Sequence, residues 1–109
     1  MTAKINQHLS ITVTIEYNSF MNKAHVVLFD HTTDDIIRTI RGQYVLADTL
    51  AEDFADEVIN DSLRDVIDRY TVLADALETA RPHDAYVIRQ WIKNDPQFND
   101  AKWHGDDRK

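Results

Sequence analysis

A chain of 109 residues with 19 acidic and 12 basic side chains carries a formal charge of −7, which argues against nucleic acid or an anionic membrane as its partner. With 43% hydrophobic and 28% charged residues, the composition is that of a globular domain and excludes a disordered chain. The sequence contains no cysteine, which excludes disulfides and thiolate metal centres.

Met1 to His8 lacks the apolar core of a secretory signal. No apolar run approaches the roughly 20 residues that span a bilayer. A cytoplasmic protein without membrane contact is therefore expected. From Leu9 to Tyr17 the residues Leu9, Ile11, Val13, Ile15 and Tyr17 alternate with Ser10, Thr12, Thr14 and Glu16. This period of two, rich in β-branched side chains, predicts a strand with one wet face, as antiparallel sheets allow. Ala24 to Phe29 is a short apolar run that predicts a second strand, and Ile36 to Arg41 a third that ends at Gly42. The short polar connections between them favour an antiparallel meander.

From Ala47 the apolar spacing changes to three and four. Ala47, Leu50, Ala51, Phe54, Ala55, Val58 and Ile59 form one helical stripe, and Leu63, Val66, Ile67, Tyr70, Leu73, Ala74 and Leu77 a second. At about 100° per residue the two stripes centre roughly 115° apart, which a straight helix cannot point at one core. The spacing therefore predicts two helices with a break at Asn60-Asp61-Ser62, where Ser62 to Asp65 loosely resembles a capping box. Pro82 suits the first turn of a third helix whose stripe is Ala85, Ile88, Trp91 and Ile92, stopped at Asp95-Pro96. The expected fold is α+β: a three-stranded antiparallel meander followed by three helices, in the order βββααα. It occupies residues 1–96 as one domain, with 97–109 as a flexible C-terminal tail in which Phe98 and Trp103 are apolar enough to dock.

Charge is unevenly placed. Residues 1–46 are neutral and 81–109 carry +1, so 47–80, with ten acids against Arg64 and Arg69, supply the whole excess. Between Arg41 and Arg64 there is no Lys or Arg, while Asp48, Glu52, Asp53, Asp56, Glu57 and Asp61 lie mostly off the apolar stripe. Several are spaced i,i+4, where like charges cost about 0.2–0.5 kcal/mol per pair. A solvated face that keeps the protein in solution would account for them. So would a surface presented to a basic partner, with Asp48, Glu52, Asp53, Asp56, Glu57 and Asp61 as its contact residues. One charge per roughly 3.5 Å along such a helix approaches the spacing of phosphates on a nucleic-acid strand, about 3.4 Å.

Other chemistry is sparse. His25 and His31 flank the end of the second strand near Asp30, Asp34 and Asp35, an N/O set that could hold a metal, though a polar turn explains the same residues. His83 beside Asp84 reads as a helix cap. Ser10, Ser19 and Ser62 stand outside any nucleophile motif, and Gly42 and Gly105 cannot build a phosphate loop. Arg81, Arg89 and Lys93 near Tyr86 and Trp91 are too few for a nucleic-acid surface, but could meet the acidic helix of another subunit. No catalytic residue, metal or cofactor is assigned. The expected function is a non-enzymatic interaction or regulatory module. A homo-oligomer built on the sheet edges or helices and a small enzyme with a His/Asp site are the alternatives.

Overall fold

A computed structural model describes residues 1–17 and 21–98. The expected order of sheet then helices holds, but with four strands in place of three. They are β1 (Thr2–Lys4), β2 (Leu9–Glu16), β3 (Asn22–Asp30) and β4 (Asp35–Val45), antiparallel throughout and ordered 1-2-3-4. β1 escapes sequence reading because three residues are too short to show a period. It is held by pairing Thr2 with Thr12, Ala3 with Ile11 and Lys4 with Ser10.

In β2 the alternation is only partly as expected. Leu9, Ile11 and Val13 are buried and Thr14 is exposed, but Ile15 and Thr12 are both intermediate. Ser10 is also buried, paired with Lys4 on one side and Phe29 on the other. Tyr17 lies beyond the strand and is exposed. β4 does not stop at Gly42. Between Val26↔Ile40 and Ala24↔Gln43, the residues Arg41 and Gly42 oppose His25 alone, a bulge that lets the strand continue. Gly42 takes φ +71°, the left-handed backbone that a side chain would strain. A second irregularity places Ile37 opposite the step from Leu28 to Phe29.

The predicted break at Asn60-Asp61-Ser62 is absent. α1 (Ala51–Val58) passes through a π-helical turn (Ile59–Leu63) into α2 (Arg64–Thr79), and no side chain caps the start of α2. The conflict between the two stripes was real, but the resolution is different. A π turn accommodates one residue more than an α turn and so rotates everything after it back by about 100°. That cancels nearly all of the roughly 115° offset. Phe54, Ala55 and Val58 and then Leu63, Val66, Ile67, Tyr70 and Ala74 are consequently all buried against one sheet face.

α1 begins four residues later than expected. Residues 47–50 form a turn, in which Thr49 N–H donates to Leu46 O and Leu50 is extended. α3 (Pro82–Asn94) opens on Pro82 as expected and packs against α2. Ala85 and Ile88 are buried, but Trp91 is 59% exposed, so it does not belong to the core stripe. Past Asn94, Asp95 turns the chain: its carboxylate accepts the Gln97 N–H and its carbonyl that of Phe98. Phe98 enters the core and meets Tyr70 edge-on, with ring centroids 5.4 Å apart. Residues 99–109, including Trp103, lie outside the described residues. Among the described residues no helix is long and apolar enough to cross a membrane.

Candidate functional site

The acidic residues singled out from sequence lie along one helical rod. Glu52, Asp53, Asp56 and Glu57 project from α1, Asp61 from the π turn, and Asp48 from the turn before α1. All six are exposed, and among the described residues none forms an ion pair. Arg38 instead reaches the Gln97 carbonyl, and among the described residues Arg41 and Arg89 pair with no carboxylate. Glu52 and Asp53 face the positive end of the helix dipole, whereas Glu57 and Asp61 have no such compensation. The rod continues through α2, which adds Asp65, Asp68, Asp75 and Glu78, so the acidic residues extend over about 40 Å.

The histidines near the second expected strand are not brought together. His25 follows Ala24 and precedes Val26, both buried, so it lies on the sheet face away from the helices, opposite Thr14. His31 Nε2 contacts the Asn6 carbonyl, and Asp30 turns toward the core. Asp34 and Asp35 are exposed. His83 is exposed and caps nothing, since Arg81 precedes the helix without a side-chain cap.

A different concavity emerges between the β3–β4 hairpin, α2 and α3. This cleft of about 470 Å³ has apolar walls from Ile36, Ile37, Ala74, Leu77 and Ile92. Asp30 and Tyr70 line its floor, His8 and Glu78 one rim, and Arg89 and Lys93 the α3 side. The floor is a closed polar pair: Tyr70 OH donates to Asp30 Oδ2 at 2.7 Å, while Oδ1 accepts the Thr32 N–H at 2.9 Å, the Thr33 N–H and the Thr32 hydroxyl. Burial pushes the Asp30 carboxyl up, but the Thr32 and Tyr70 hydroxyls and the two backbone donors outweigh it and hold it below the usual carboxylate range. Burial, reinforced by the hydrogen bond to Asp30 and its negative charge, pushes the Tyr70 phenol up from its ordinary value. The Asp30 carboxylate stays ionised and the Tyr70 phenol protonated near neutral pH, and their hydrogen bond fixes the hairpin to α2.

The rim is assembled from the turn between β1 and β2. Asn6 Oδ1 accepts the backbone N–H of His8 and of Leu9, both at 2.9 Å, which sets the turn. Three side chains then tie it to α2: Asn6 Nδ2 donates to Thr71 Oγ1 at 3.0 Å, Gln7 Nε2 to Asp75 Oδ1 at 2.8 Å, and His8 Nε2 meets the same Oδ1 at 2.7 Å. Thr71, Asp75 and Glu78 succeed one another at four and three residues, so they share a face of α2. His8 is 3% exposed, and Glu78 Oε1 lies 3.6 Å from its Nε2. Sequence reading missed this rim, because His8 and Asp75 are 67 residues apart and no local spacing connects them. A polar run, Asn6-Gln7-His8, at a strand turn was the one available signal.

Searches of protein-family models, curated proteins and solved structures find no match to this chain.

Proposed function

We propose that this protein is a non-enzymatic interaction module that engages a basic protein surface through its acidic rod. The observation that carries the reading is the continuity of α1, the π turn and α2, with the carboxylates of Asp48, Glu52, Asp53, Asp56, Glu57 and Asp61 exposed and, among the described residues, without ion pairs. An uncompensated row of like charge costs folding free energy, which selection for stability alone would remove by interspersing lysines. A partner with a complementary charge recovers that cost on binding and gains association rate from the field. The near-phosphate charge spacing suits a partner whose surface is itself built to hold a nucleic-acid backbone. Edge-to-edge assembly through the sheet is less well supported, because the two irregularities of β4 bend that long outer strand away from a flat partner strand.

Affinity capture from lysate of the source cells, with the wild type beside the double variant Asp56→Lys and Glu57→Lys, tests the reading. A basic protein recovered by the wild type at low salt should be lost at high salt and lost to the variant, since exposed charges are screened over about 8–10 Å. Equal recovery by both forms, or no basic protein at low salt, overturns it.

A further inference from the structure

We propose that His8, Asp75 and Glu78 bind a divalent transition-metal cation of the zinc class at the rim of the cleft. Each offers one ligand atom, and the three atoms lie within 4.8 Å of one another, the sole such group among the described residues. A hydrogen bond from His8 to Asp75 accounts for one carboxylate at 2.7 Å. It does not account for Glu78, whose Oε1 stands 3.6 Å from the same nitrogen. Two carboxylates thus converge on one imidazole, and among the described residues neither has a Lys or Arg at ion-pair distance.

The spacing suits a small ion. Two ligands about 2.0–2.1 Å from a tetrahedral zinc stand about 3.4 Å apart. The His8–Glu78 distance already matches. The His8–Asp75 contact must widen, exchanging a hydrogen bond for a shared ion; the Asp75 side chain is half exposed and held there by Gln7 and His8. His8 is the fixed ligand: its ring is buried and its backbone is clamped by Asn6. Gln7 Nε2 donates to Asp75 Oδ1, the kind of outer support that orients a coordinating carboxylate. One imidazole with two carboxylates favours zinc over magnesium or calcium, which take oxygen ligands. Three protein ligands leave a fourth position, as in open zinc sites, and both His8 and Glu78 line the cleft.

The test is calorimetric titration of the full chain, freed of metal by chelator, with zinc chloride and in parallel with magnesium chloride. Saturable one-to-one zinc binding without magnesium binding is expected. Glu78→Gln, at an exposed position, should keep the fold by circular dichroism and weaken zinc binding by about tenfold or more. Nitrogen-15 spectra of the histidines should show zinc moving the His8 Nε2 resonance while His25, His31 and His83 stay in place. Absence of saturable zinc binding overturns the proposal. So does unchanged affinity in Glu78→Gln, or a zinc response confined to histidines other than His8.

Discussion

Asp30 is a carboxylate at 2% exposure that remains charged because four donors surround it. Its lowered pKa means that its contribution to stability is present above the usual carboxylate range and is lost as pH falls through the lowered value. Tyr70 behaves in the opposite sense. Its raised pKa makes its contribution complete below about pH 10, the value of an unfolded tyrosine, and lost as pH rises further. Tyr70→Phe removes one donor from a buried charge, so it should cost about 1.5–3 kcal/mol near neutral pH. Above about pH 10 the wild type alone loses the phenol's share, so the gap between the two should narrow. Urea denaturation of both proteins from pH 7 to 11 checks this; a gap that stays constant would mean that Asp30 does not hold the hydroxyl.

At the scale of elements, the π turn carries the clearest mechanical consequence. If one surplus residue between 59 and 63 reconciles the two apolar stripes, deleting Asn60 should turn the segment into ordinary α-helix with both stripes still facing the sheet. The variant should therefore fold cooperatively. Deleting Asp68, an equally exposed residue within α2, should instead rotate the rest of the helix by about 100° and expose Tyr70 and Ala74. Thermal unfolding of the two deletions separates these outcomes, and two equally disrupted variants would count against the phase argument.

The same element shows what the sequence could convey. Every residue buried on the rod belongs to one of the two stripes predicted from spacing, because burial of apolar side chains fixes periodicity. How the chain reconciled the stripes was hidden, since a capped break and an inserted residue satisfy the same pattern. β1 was hidden because pairing with β2, not its own composition, makes Thr2–Lys4 a strand. Trp91 followed the helical period and is nonetheless exposed, while Ala85 and Ile88 of the same stripe are buried. Among the site residues, the acidic row was legible because its members are neighbours in sequence. The rim of the cleft was not, because it joins a strand turn to a helix late in the chain.

For the whole molecule, charge and stability are opposed along the rod. Asp56→Lys with Glu57→Lys converts the repulsive pairs Glu52–Asp56 and Asp53–Glu57 into attractive ones, with the acid N-terminal to the lysine as helices prefer. Two such conversions should add about 1 kcal/mol and raise Tm by about 4 °C. Calorimetric melting at low salt measures the gain, which should shrink as salt is added. A variant that melts lower than the wild type would show that these carboxylates already have a stabilising role within the chain.

Phe98 has a consequence for the order in which the protein forms during synthesis. Its ring fills space beside Tyr70 that nothing earlier in the chain supplies, although the sheet and the rod are complete by Thr79. A nascent chain on the ribosome that has not yet released Phe98 must hold its sheet and rod together around a gap. An aromatic-sized void of that kind costs about 3–5 kcal/mol, comparable with the lower end of a domain's net stability of about 5–15 kcal/mol. The fold therefore becomes secure late, when the turn at Asp95 delivers the ring, and until then Tyr70 is exposed on one side to whatever binds unfinished chains.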